Sequence, residues 1–206
     1  MPCLFDGQRI VGNGVLVLLL KPHQGAILEH GYQIHDQLLP ATSTDGNRII
    51  QIDWRPAFEV YQELVRTQFG VEINRDNFYQ YAVHFPFGIL RANHSVLVRI
   101  PVMLDDDNAL FCVGEVPPHA MLTLLEAPQV DSRVTLETLQ HGLLELRGDP
   151  IGSDLLLFYC AGRRLHLGEQ AATEELRGFL GGTQAGALAG ALALGEIGGS
   201  TLWGFR

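Results

Sequence analysis

The sequence is poor in lysine, cysteine and charge. Lys21 is the one lysine among fourteen basic residues, so chemistry that runs through a Schiff-base lysine or a phosphate-loop lysine has almost no candidate. Cys3, Cys112 and Cys160 are an odd number of cysteines at wide spacing, which fits a reducing compartment and not a disulfide framework. Only 18% of the 206 residues are charged and the formal net charge is -9, with no basic stripe. A nucleic-acid backbone is therefore excluded as the expected partner. Long apolar runs are missing too: residues 15–20 and the Gly/Ala/Leu stretch 185–194 fall well short of the roughly 20 residues of a membrane span. Asp6 and Arg9 ahead of the first run spoil it as an export signal. The expectation is a soluble, cytoplasmic protein with no membrane partner.

What is present is an apolar fraction of 47%, enough for one large core or two small ones. Residues 15–20, bounded by Gly12, Gly14 and Pro22, read as a strand buried on both faces. Residues 42–44 and 49–52 flank Asp45-Gly46-Asn47, a hairpin signal. Asp53 then reads as the cap of a helix started by Pro56, with Ala57, Val60, Tyr61, Leu64 and Val65 on one stripe and Gly70 at its end. Residues 71–81 read as a short helix or connector, with a boundary that divides the chain into units 1–80 and 81–206.

In the second unit, 96–103, 110–113 and 121–126 read as strands of an antiparallel meander around the acidic turn Asp105-Asp106-Asp107-Asn108. Residues 132–146 carry Val134, Leu136, Leu139, Leu143 and Leu146 at mostly helical spacing. Residues 155–161 form another buried strand, 164–180 a helix capped by Thr173 ahead of Glu174 and Glu175, and 181–203 a return as strands. The class is α/β or α+β, with mixed, largely antiparallel sheets packed by helices in two related layered halves.

Two segments carry a family resemblance. The first runs from Asp36 to Tyr61 through Thr42, Asn47, Ile49 and Asp53-Trp54-Arg55-Pro56-Ala57, and resembles the end of the N-terminal half of a FIST domain. The second resembles the FIST C-terminal domain at Phe85-Pro86-Phe87-Gly88-Ile89, Val98-Arg99-Ile100-Pro101, the run 111–117, Cys160-Ala161-Gly162-Arg163-Arg164 and Gly195-Glu196-Ile197-Gly198. The resemblance implies an intracellular sensory module that binds a small ligand such as an amino acid. In the family it stands beside signalling output domains or, in eukaryotic relatives, an F-box. It implies no cofactor. The chain begins inside the family's N-terminal half and stops at Trp203-Gly204-Phe205-Arg206, before the last of the terminal strand, so an incomplete cavity is expected. Where relatives carry an aromatic or hydroxyl residue shortly before the Gly-Glu pair, this chain has Ala191-Leu192-Ala193-Leu194.

Glu196 is the only charged side chain in 181–203. Among so many apolar neighbours its carboxylate must be exposed, paired or shifted in pKa. In the picture the resemblance supplies, Arg163, following Gly162, is its natural partner or the holder of an acidic ligand; otherwise Glu196 sits on a solvated turn between Gly195 and Gly198. Arg99 projects opposite to Val98 and Ile100, toward solvent or into a cavity.

The expected ligand-binding set is thus Arg163, Glu196, Arg99, Gly162 and Gly195, in a non-enzymatic module that passes ligand occupancy to a signalling partner. The alternatives are an interaction scaffold or F-box-type adaptor without a small-molecule site, and a hydrolase built on Cys160 or a serine with a histidine such as His35 of His35-Asp36. No metal is expected: the eight histidines and three cysteines form no short ligand cluster, Cys112 and Cys160 read as small hydrophobes in strand cores, and the Asp105–Asp107 run lacks the features of a calcium loop.

Overall fold

The structure, a computed structural model, describes residues 3–5, 8–12, 17, 26–92, 95–127, 133–147 and 151–196. Strands β1 (Cys3–Phe5) and β2 (Ile10–Gly12) pair with each other. The strand read at 15–20 lies, Val17 aside, outside the described residues. After β3 (Gln33–Ile34) and β4 (Leu39–Pro40) comes the hairpin of β5 (Ser43–Asp45) and β6 (Arg48–Ile52), turned at Gly46-Asn47 as the sequence predicts.

β7 (Arg55–Pro56) then folds straight back on β6. Its turn is Asp53-Trp54, both at positive φ (50° and 64°), the signature of a two-residue hairpin turn. This corrects the reading of Asp53 as a helix cap. Helix α1 (Ala57–Phe69) starts after Pro56 with no side-chain cap, because Asp53 belongs to the preceding turn. The other end follows expectation: Gly70 is left-handed and donates its N–H to the Arg66 carbonyl.

The short α2 (Phe78–Tyr81) leads to β8 (Phe87–Leu90), β9 (Val96–Arg99), β10 (Pro101–Leu104), β11 (Leu110–Cys112) and β12 (Met121–Glu126). They do not form one meander. β9 pairs with β8, and β8 with β12, in a sheet ordered β3-β12-β8-β9, with β4 also on β12. β10 joins β11, β6 and β5 in another sheet, with β7 on β6. The expected strand 96–103 breaks at Ile100, since Pro101 has no N–H to continue the ladder; Ile100 instead accepts a hydrogen bond from the Val113 N–H at 2.9 Å.

One apolar core joins both sheets. α1 contributes Phe58, Tyr61, Leu64 and Val65, the sheets contribute Ile49, Ile52, Leu110, Leu122 and Leu124, and α2 inserts Phe78. The helical spacing of α1 turns its buried stripe onto both sheets. Tyr61 is fully buried, packed against Phe78 and Phe87, and its hydroxyl donates to the Phe85 carbonyl at 3.0 Å, which removes the cost of a buried phenol.

The rest of the described chain is built differently. After α3 (Arg133–Arg147), β13 (Asp154–Cys160) runs into α4 (Ala161–Thr183), which returns to β14 (Ala187–Ala193). β13 and β14 are parallel, paired from Asp154↔Ala187 to Cys160↔Ala193, the relation a helical crossover permits. They are so close that a Cβ on Gly190 would run into the Leu157 carbonyl. β13 is not buried on both faces as expected: exposure alternates, leaving Leu156 and Phe158 more than half exposed. Thr173 is not a cap either; it lies inside α4 and its hydroxyl donates to the Glu169 carbonyl. Four helices and largely antiparallel sheets make the described fold mixed α+β.

Candidate functional site

The site forms where β13 meets α4. Tyr159 and Cys160 end the strand, and Ala161 opens the helix without an intervening loop. A straight helix would carry Glu175 about 18 Å beyond Arg163, at about 1.5 Å per residue, out of reach of its side chain. Gly168 removes that separation. Its φ of 80° and ψ of 169° are non-helical, in a region open essentially to glycine alone, and they divide α4 into two segments joined at a kink.

The Arg163 guanidinium consequently grips Glu175. Nε donates to both carboxylate oxygens at 3.1 and 2.9 Å, and Nη2 to Oε1 at 2.5 Å. Nη1 reaches the His30 carbonyl at 3.2 Å, and the Tyr159 hydroxyl donates to Glu175 Oε2. The two charged side chains are only 11% and 4% exposed. Burial opposes the guanidinium's charge, but the hydrogen bonds and charge of Glu175 outweigh it and raise the Arg163 pKa. Burial, then the bond to Glu175, pushes the Tyr159 phenol well above its ordinary value. Nearby Tyr32 is pushed up to about 12, first by burial.

Beside this network lies a cavity of about 90 Å³. Leu136, Leu139, Leu157 and Phe179 form much of its apolar wall, while Glu29, Tyr159, Arg163, Glu175 and Glu196 supply polar groups. Glu196 Oε1 is buried and has no hydrogen-bond partner, and burial raises the pKa of its carboxyl. Glu29 is better served: its Oε1 accepts the N–H groups of His30 and Gly31, both at 2.9 Å.

The structure therefore brings Arg163 and Glu196 to one cavity but does not pair them; the partner of Arg163 is Glu175. Sequence reading missed Glu175, although it shares the buried stripe of α4 with Ala172, Phe179 and Thr183, and a carboxylate on such a stripe signals a buried partner. Gly162 is pressed against Ile100, whose Cδ1 would lie 2.8 Å from an added Cβ, whereas an added Cβ on Gly195 would meet nothing within 4 Å. Arg99 is elsewhere. Its Nε donates to the Glu115 carbonyl at 2.7 Å and its Nη1 to the Val98 carbonyl at 2.9 Å, so it ties the end of β9 to a turn and does not line this cavity. Burial lowers its pKa.

The cysteines differ. Cys112 is buried in the core, its thiol pushed up to about 12 by burial, whereas Cys160 is half-buried on the cavity wall and not in a strand core as expected. Among the described residues, no three His, Cys, Asp or Glu side chains gather as a metal site, and no helix is long and apolar enough to cross a membrane. Asp105 ties its turn together by accepting from Arg48 and from the N–H groups of Asp107 and Ala109.

Fold and site define an α+β domain with a small cavity, apolar over much of its wall and carrying a few polar groups, beside a parallel strand–helix–strand unit. A family model, the FIST C domain, matches residues 57–199, more than half of the chain. The chain belongs to the FIST C domain family, which is associated with signal transduction. No curated protein and no solved structure matches it.

Proposed function

We propose that the chain is a non-enzymatic sensory module that binds a small organic ligand in the cavity at the β13–α4 junction and signals occupancy to a partner protein. The observation that carries this reading is the buried Glu196 Oε1, unpartnered within a cavity that already holds a satisfied Arg163–Glu175 pair. A buried acceptor without a donor is costly, and a ligand that supplies the donor recovers that cost. Signalling then follows as a population shift: a ligand that contacts Glu196 and α4 favours one arrangement of the segments about Gly168 over others. The three widely spaced cysteines fit action in a reducing compartment, the cytoplasm.

Thermal-shift and calorimetric screening of amino acids and related small metabolites tests the reading. Saturable binding that raises the melting temperature is expected, and no response to any of them at millimolar concentration would contradict it. A second reading, an interaction scaffold, draws on the exposed Leu156, Phe158 and Leu192 of the two-stranded sheet. It predicts self-association by light scattering that Leu192→Glu abolishes; a monomer at all concentrations opposes it.

A further inference from the structure

We infer that the group this cavity recognises is an ammonium carried on a short aliphatic chain, with Glu196 as its counter-charge and acceptor. The inference deepens the proposed function and rests on that reading. It begins with charge. Among the described residues, the cavity is lined by three carboxylates, Glu29, Glu175 and Glu196, against the single guanidinium of Arg163. That guanidinium is already committed, two of its nitrogens to Glu175 and the third to the His30 carbonyl. A ligand carboxylate would have to displace Glu175 and strand it at 4% exposure, the costly outcome for a buried ion. The negative excess therefore selects a cation.

The chemistry of the lining narrows the cation. Glu196 Oε1 requires a donor, and an ammonium brings three. Much of the remaining lining is aliphatic and aromatic, with Leu136, Leu139 and Phe179, which gives a bare metal ion nothing to bind but gives a hydrocarbon tail a surface to bury. Volume sets the length. At about 90 Å³ the cavity is smaller than the ~150 Å³ that accepts benzene in an engineered protein, so the tail is a few carbons long. Arg163, expected from the sequence to hold an acidic group, instead walls one off.

Isothermal titration of the full chain with ethylammonium, n-propylammonium, propionate, alanine and potassium chloride tests this. The alkylammonium ions are expected to bind saturably, more tightly as pH rises and Glu196 ionises, and propionate is expected not to bind. Glu196→Gln should weaken alkylammonium binding at least tenfold with its melting temperature maintained, while Glu196→Asp retains part of it. Propionate or alanine binding in the absence of alkylammonium binding overturns the ammonium assignment and leaves the ligand site standing. Potassium binding as tightly as ethylammonium overturns the aliphatic part, and undiminished binding to a folded Glu196→Gln chain overturns the role of Glu196. Silence from all of these probes, together with the wider metabolite screen, removes the ligand-site reading itself.

Discussion

Around α1, two antiparallel sheets close over side chains that are almost all apolar, whereas the β13–α4–β14 unit is held at its centre by an ion pair and leaves one strand face half exposed. The first region gains its stability from burial, which is non-directional and tolerant of small adjustments. The second depends on one geometry: unless the helix is kinked at Gly168, Arg163 and Glu175 do not meet. A ligand has little purchase on the first region. In the second, an unsatisfied acceptor lies beside a helix already divided into two segments, and both are features through which binding energy can redistribute conformations.

Phe78→Ala tests the apolar region. Phe78 is fully buried between Phe58 and Tyr61, and its truncation should cost about 3–5 kcal/mol, lowering the denaturant midpoint of the whole core. Glu175→Ala tests the other and is expected to cost about as much, about 3–5 kcal/mol, because it leaves Arg163 buried without its counter-charge. The loss should be local, seen as faster amide exchange in β13 and β14 with α1 protected as before. The double change Arg163→Met with Glu175→Leu should recover most of the loss. If it does not, the pair carries more than mutual neutralisation.

Next in size is Gly168→Ala, which forces a side chain into a glycine-only conformation and should cost about 1–3 kcal/mol. The test specific to the hinge is structural: the Tyr159–Glu175 bond should weaken, and the Tyr159 ionisation seen by ultraviolet titration should fall back toward the ordinary phenol range. An unchanged titration would mean that the two segments hold together without the glycine.

These residues also show what a sequence discloses. The hairpin at Gly46-Asn47 was legible because its signal is local, as was the end of α1 at Gly70. Asp53 was misread because an aspartate before Pro56 suits a cap as well as a turn, and only the β6–β7 pairing decides between them. At the site, the sequence reading set Arg163 and Glu196 against each other; both line the cavity, but the partner of Arg163 is Glu175. Glu175 reads from the sequence only as part of a helix start, not as the partner of Arg163, because a twelve-residue spacing is meaningless on a straight helix, and Gly168 gives no signal because a lone glycine in a helical pattern is ordinarily tolerated.

The smallest expected effect concerns pH. Burial raises the Glu196 pKa, so the folded chain holds that proton more tightly than the unfolded chain does. Its contribution to stability is complete below the ordinary carboxylate value and is lost as pH rises through the raised one. Glu196→Gln should remove that part of the slope, leaving a flatter curve of denaturant midpoint against pH. A slope unchanged in the variant would assign it to another group.

The most direct test is a titration of the Glu196 side-chain carboxyl followed by its ¹³C resonance, with and without ethylammonium. In the free protein the midpoint should lie above the ordinary glutamate value, and saturating ethylammonium should move it down, because a bound ammonium favours the ionised carboxylate. An ordinary midpoint that ethylammonium leaves in place would contradict both the unpartnered Glu196 Oε1 and the ligand it is inferred to hold.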